Sequence, residues 1–216
     1  IEYSEDEVAK YLAEKATAHT VTKYDTDEAS MTRVSELLAN HEVVAVMRGQ
    51  GEWGARSLCN RAILANASDL KNFHMVNDMI KMRDFWMPFA PTILESAAPR
   101  YLNNWNELGS KVYESAHYMI NTFGSTPLAT EHLRAAMHQR DKTLRPQLVS
   151  KDTNPWMAGM LDKYDALTGM GGVMNTSLNI HGYPLVGTLD QALFTFENSG
   201  LKYILIGNHL VEKKHA

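Results

Sequence analysis

The residues of this chain able to do chemistry fall in four short stretches. In Asn77 to Pro91, Lys81 and Arg83 stand two positions apart. On a helix their side chains would diverge by about 200°, whereas in an extended segment they point the same way. Pro88 biases Met87 away from helical backbone, which favours the extended form and puts Lys81, Arg83, Phe85 and Met87 on one face. Two neighbouring cations repel, and an anion such as phosphate relieves that repulsion. A solvated helix end with basic residues near its C-terminus is the alternative reading.

Asn175-Thr176-Ser177-Leu178-Asn179 follows the apolar Val173-Met174. Strand alternation places Asn175, Ser177 and Asn179 on one face and Thr176 and Leu178 on the other. Open α/β sheets hold ligands at the carboxyl ends of their strands; an Asn-rich turn into His181-Gly182-Tyr183-Pro184 is the alternative. Asp141-Lys142-Thr143-Leu144-Arg145-Pro146-Gln147 reads as a turn delivering Arg145. Gly49-Gln50-Gly51-Glu52-Trp53-Gly54 matches a dinucleotide fingerprint, with Asp69 near the expected acidic position. The following segment carries Arg56 and Arg61 and makes a poor apolar crossover helix, so a turn requiring glycine is the better reading. The nine histidines show no metal-ligand spacing. We therefore expect no metal site built from protein groups alone; Mg²⁺ carried by a nucleotide would leave little trace in the sequence.

These stretches need a scaffold. Ser4 is an N-cap with Glu7 three residues on, and Val8, Tyr11 and Leu12 recur at helical spacing. A second helix is expected from Asp27 to Asn40, and a buried strand over Val43–Met47. Ala62–Ala65 reads as a short strand, Leu70–Ile80 as a helix, Pro88–Leu94 as a strand and Trp105–Ser110 as a loop. Residues 113–138 are ambiguous. Asn154-Pro155 opens a helix that Gly169 ends. Gly171–Leu178 is expected as a strand, Asp190–Asn198 as a helix and Lys202–Ile206 as the final strand. The alternation indicates the α/β class.

Length and composition bound the function. A chain of 216 residues, 44% hydrophobic and 21% charged, can bury one large core. A formal net charge of −4 argues against bulk electrostatic binding of nucleic acid. No apolar run approaches the roughly 20 residues that cross a bilayer, so no membrane is expected. The single cysteine, Cys59, and the absence of a leader pattern point to the cytoplasm. A start at Ile1 suits a piece of a longer polypeptide.

Taken in order, the four stretches resemble the C-terminal domain of the ATP-dependent O-carbamoyltransferases, the family of nodulation protein U and the cephalosporin and tobramycin carbamoyltransferases. Gly49 to Leu64 is similar to G-x-x-E-F-G-P-R-A-L-G-x-R-S-I-L and Asn77 to Pro91 to N-x-x-I-K-x-R-E-x-x-R-P-F-A-P. Asp141 to Gln147 is similar to D-G-T-x-R-P-Q, and Asn175 to Asn179 to N-T-S-F-N. Met87 stands where that pattern has arginine, and Cys59 where it has glycine.

The resemblance implies a YrdC-like fold, a twisted mixed sheet with flanking helices, over residues 41–216. Residues 1–40 would form a helical lead-in following a Kae1-like domain, which is not part of this sequence. It implies that the domain converts ATP, with its Mg²⁺, and carbamoyl phosphate to carbamoyl adenylate, releasing pyrophosphate; the Kae1-like domain, which holds iron, passes the carbamoyl group to an acceptor hydroxyl. By motif position Lys81, Arg83 and Arg145 are the implied catalytic cations, and Arg56, Asn175, Ser177 and Asn179 the implied nucleotide and carbamoyl contacts. A catalytically weakened nucleotide-binding module and an RNA-contacting YrdC-like domain are the alternatives, and a homodimer is left open.

Overall fold

A computed structural model describes residues 2–54, 56–81, 87–107 and 109–214. Its first part runs α1 (Glu5–Lys15), β1 (Thr20–Lys23), α2 (Asp27–Ala39), β2 (Val44–Met47), β3 (Arg61–Ala65) and α3 (Leu70–Val76), which passes into a π-helical turn at Asn77–Lys81. β4 (Ala90–Leu94), α4 (Ala98–Tyr101), α5 (Ser110–Ser115), β5 (Phe123–Gly124), α6 (Pro127–His132), β6 (Thr143–Leu144) and β7 (Gln147–Val149) follow. The chain finishes with α7 (Pro155–Thr168), β8 (Gly172–Ser177), α8 (Leu189–Glu197), β9 (Tyr203–Ile206) and β10 (His209–Glu212).

Capping chemistry starts and stops the longer helices. The Ser4 hydroxyl accepts from the Glu7 N–H while the Glu7 carboxylate accepts from the Ser4 N–H, a reciprocal box repeated by Thr188 and Gln191 on α8. Asn154 caps α7 with Pro155 in its first turn, and Gly169 ends that helix at φ 75°, a conformation glycine adopts without steric cost.

Eight strands form one mixed sheet in the order β1-β10-β9-β2-β3-β8-β4-β7; β5 and β6 form a separate ribbon. β2 is parallel to β9 and β4 to β7, and the remaining pairs are antiparallel. Every residue of β2, β3, β4 and β9 is buried. This is why Val44-Ala45-Val46-Met47 reads as a continuous apolar run rather than an alternating one. Helix α2 packs against α7, where Trp156 donates its indole N–H to the Ser30 hydroxyl at 3.0 Å. No helix among the described residues is long and apolar enough to cross a membrane.

The α/β class and the mixed sheet with flanking helices agree with expectation; several details do not. Residues 1–40 contain the two expected helices but also β1, paired with β10 from Thr20 opposite Glu212 to Lys23 opposite His209. All four β1 residues are exposed, so no hydrophobic alternation marks the strand. Val8, Leu12, Val34, Leu37 and Leu38 lie in the same core as the central strands. β9 is not the final strand, because β10 turns back along it. The Gly49–Gly54 turn joins the antiparallel β2 and β3 with no crossover helix, so the dinucleotide fingerprint is a turn sequence.

Candidate functional site

The topology gathers the four stretches. β3 and β4 run antiparallel to β8, so the chain enters both of them beside the end of β8; β7 is parallel to β4 and begins there too. Asn175 lies opposite Leu64 on one side and Ala90 on the other, and Ser177 opposite Ala62. The segments leading into β3, β4 and β7 therefore carry Arg56, Phe89 and Arg145 to the place where Asn175 and Ser177 sit. These five residues line one polar cavity of about 70 Å³. Thr176, expected on the opposite strand face, also contributes to its wall. A wider cleft of about 480 Å³ shares Arg56, Phe89 and Arg145 and continues past Met87, Thr143 and Asp141.

Arg56 is exposed and Arg145 half-buried, and neither guanidinium has a hydrogen-bond or ion-pair partner among the described residues. Burial and the neighbouring Arg56 charge push Arg145 below the usual guanidinium range. Two adjacent cations with no ion-pair partner among the described residues make an electrostatic opening for an anion.

Lys81 holds a different position from the one the extended reading implies. It ends the π-helical turn, is 2% exposed, and donates to the Ser177 carbonyl and to the Asn179 side-chain oxygen. It also donates at 3.1 Å to both the Ser177 hydroxyl and the Asn179 carbonyl. The Ser177 hydroxyl in turn donates to the Asn179 Oδ1 at 2.7 Å. Lys81 and Asn179 thus stand behind the cavity and reach it through Ser177. Arg83 and Phe85, placed with Lys81 on one face by the sequence reading, lie outside the described residues; Met87 is 37% exposed at the cleft.

A buried polar cluster forms the floor. Gln147, the first residue of β7, donates its Nε2 to the Leu58 carbonyl at 3.0 Å, which turns its Oε1 inward. That oxygen accepts from the Thr92 hydroxyl and the Cys59 thiol at 3.1 Å each and from Asn175 Nδ2 at 3.2 Å. Asn175 Nδ2 also meets Thr92 Oγ1 at 3.0 Å and the Ser57 carbonyl at 3.3 Å. Burial pushes the Cys59 thiol far up, so it stays neutral. Thr92, Gln147 and Cys59 were missed as site residues in the sequence, although Gln147 closes the Asp141–Gln147 motif and Cys59 stands at a motif glycine; Thr92 carried no signal beyond its place in a buried strand.

Two further residues staple the arginine-bearing loop. The Glu52 carboxylate accepts from the N–H groups of Leu58 at 2.6 Å, Asn60 at 2.8 Å and Arg61 at 3.2 Å. Burial outweighs these bonds and raises its pKa. Arg61, 1% exposed, donates to the carbonyls of Arg48, Gly49 and Asn60. On the other approach, Asp141 accepts from the Thr143 N–H at 3.0 Å and its hydroxyl at 2.7 Å; these bonds hold its pKa down at about 2 and set the turn that delivers Arg145. Cys59 at φ 81° and Lys142 at φ 58° both occupy left-handed backbone where the resembled motifs have glycine.

The chain is similar to known proteins over most of its length. Residues 35–213 match the family model described as carbamoyltransferase C-terminus. An uncharacterised protein of Methanocaldococcus jannaschii is 33% identical over 212 residues, 98% of this chain and 33% of that protein. The 3'-hydroxymethylcephem-O-carbamoyltransferase of Amycolatopsis lactamdurans is 29% identical over 175 residues, 81% of this chain and 31% of that one. The chain therefore spans about a third of the curated relatives it matches. Among solved structures, full-length HypF in its phosphate- and nucleotide-bound form superposes with a TM-score of 0.57 at 16% identity, covering 89% of this chain and 22% of HypF. Sua5 of P. abyssi complexed with L-threonine gives 0.58 at 13% identity, covering 84% and 47%.

Proposed function

The chain belongs to the carbamoyltransferase C-terminal family, and on that premise we propose that it forms carbamoyl adenylate as one part of an ATP-dependent O-carbamoyltransferase. The observation that carries the reading is the pair of guanidiniums, Arg56 and Arg145, that stand beside the polar end of β8 with no partner among the described residues. In the proposed sequence water cleaves carbamoyl phosphate to carbamate and inorganic phosphate. A carbamate oxygen then attacks the α-phosphorus of ATP; the new O–P bond forms as the bond to the β-phosphate bridging oxygen breaks, and pyrophosphate leaves. Carbamate is already an anion, so this attack needs no general base.

The residues divide this work. Arg56 and Arg145 offset the charge that gathers on the phosphoryl oxygens and the departing pyrophosphate, the main electrostatic demand of phosphoryl transfer. Lys81 fixes the Ser177–Asn179 turn and brings positive charge behind it, and Arg83 is assigned to the same cationic set by its motif position. The wider cleft takes the nucleoside. Mg²⁺ is assigned to the nucleotide's own phosphates. Transfer of the carbamoyl group to an acceptor hydroxyl is assigned to a Kae1-like, iron-holding domain of the same full-length protein.

The test is ATP–pyrophosphate exchange dependent on carbamoyl phosphate, measured with the full chain. Exchange that is lost in Lys81→Ala supports the reading, and no exchange refutes it. Met87, lining the cleft where the motif has arginine, favours a second reading, a nucleotide-binding module with weakened catalysis. Calorimetry showing ATP binding without exchange would select it.

A further inference from the structure

We propose that Asn175 reads the amino group of the carbamoyl substrate through its side-chain oxygen, so that the cavity selects a carboxamide-type acyl group over one ending in methyl. The inference rests on the carbamoyl-adenylate reading and assigns one subsite within it. It starts from the orientation of one amide. Leu58 O can only accept, so Gln147 presents Nε2 to it and turns Oε1 to the interior. Gln147 Oε1 and Ser57 O can also only accept, so Asn175 must present Nδ2 to both of them. A flipped Asn175 amide would set its oxygen against two carbonyl oxygens. The chain from Leu58 through Gln147 therefore fixes which end of Asn175 is committed to the protein and which is left over.

The end left over is Oδ1. It is buried, and it has no hydrogen-bond partner among the described residues, although Asn175 as a whole is only 2% exposed and forms part of the cavity wall. A buried acceptor without a donor is unfavourable in the empty protein and calls for an explanation. The groups around it narrow the answer. Arg56 and Arg145 are pure donors, suited to phosphate and carboxylate oxygens. A phosphate oxygen at Asn175 Oδ1 would bring two acceptors together, so Asn175 does not share the phosphate-holding role. The part of carbamoyl phosphate or carbamate that can donate is its –NH₂, and the donors and the acceptor of the cavity match the two ends of that substrate. Thr92 and Gln147 act as positioning residues that hold the Asn175 amide in this sense.

Acetyl phosphate tests this, because it replaces –NH₂ by a methyl group of nearly the same size. A site built to hydrogen-bond an N–H rejects the analogue lacking it by roughly 10⁴-fold. With the full chain, exchange supported by carbamoyl phosphate should exceed that supported by acetyl phosphate on this order. In Asn175→Leu the ratio should fall about 100-fold, and in Thr92→Val, which loosens the amide without touching substrate, several-fold. Thr92→Val and the wild-type ratio decide the matter if Asn175→Leu does not fold. No carbamoyl-dependent exchange in the wild type would sink the functional reading and this inference together. Robust exchange with a ratio near one, or a ratio unmoved by both substitutions, would overturn the Asn175 assignment and leave the functional reading standing.

Discussion

Arg145→Leu should separate the empty protein from the nucleotide-bound one by the sign of its effect. In the empty fold Arg145 is half-buried beside Arg56 and has no partner among the described residues; burial and Arg56 both disfavour its charge. Its removal should leave the urea midpoint without nucleotide unchanged or raised. With ATP the sign reverses. A hydrogen bond to a charged group contributes about 1.5–3 kcal/mol, so losing the phosphate contact should weaken binding roughly 10- to 150-fold. ATP at 100 times the wild-type Kd stabilises the fold by about 2.7 kcal/mol. If Kd rises about 100-fold, the same ATP concentration equals the new Kd, and the stabilisation falls to RT ln 2, about 0.4 kcal/mol. Urea unfolding of both proteins with and without ATP reads all four values. A variant that is weaker without nucleotide, yet gains the full wild-type increment from ATP, would refute the argument that Arg145 is held charged for an anion.

Three other substitutions probe the scaffold and the cleft. Cys59→Gly should be less destabilising than Cys59→Ala, reversing the usual order, because φ 81° costs a side-chain-bearing residue about 1–2 kcal/mol and glycine nothing; equal urea midpoints would count against strain at this position. Glu52 has a raised pKa, so the native state binds its proton more tightly than the unfolded chain. Its contribution is fully present below the ordinary glutamate value near pH ~4.3 and is lost as pH rises through the native value. The stability of Glu52→Gln relative to wild type should accordingly change in that window, and a pH-independent difference would contradict the assignment. Met87→Arg places a cation in the cleft beside Arg56 and Arg145; carbamoyl-dependent exchange should rise about 10- to 100-fold, and no gain would show that the cleft already holds enough positive charge.

Local rules were legible in the sequence wherever one side chain answers one backbone group. Ser4 with Glu7 and Asn154 with Pro155 announce helices because capping is a contact across three or four residues. β1 escaped notice because Thr20-Val21-Thr22-Lys23 is exposed on both faces, and its partner β10 lies near the other end of the chain. The π-helical turn that seats Lys81 has no signature, so a spacing argument assigned that lysine to an extended face. Arg56, Arg145, Asn175 and Ser177 were named from motif order, and the antiparallel entry of β3 and β4 beside β8 is the physical cause of their meeting. Thr92 had no such marker, and Gln147 and Cys59 stood out only as motif positions: their chemistry is the matching of donors to acceptors between residues as much as 116 positions apart.

The pairing of β1 with β10 also constrains biosynthesis. β9 and β10 separate β1 from β2, and they are made after the other described strands. Until then Val44–Met47 presents an apolar strand with an uncovered side, a template for mispairing with other nascent chains. A chain made only as far as Lys202 would therefore hold every residue that lines the Arg56–Arg145 cavity while its sheet is still open beside β2.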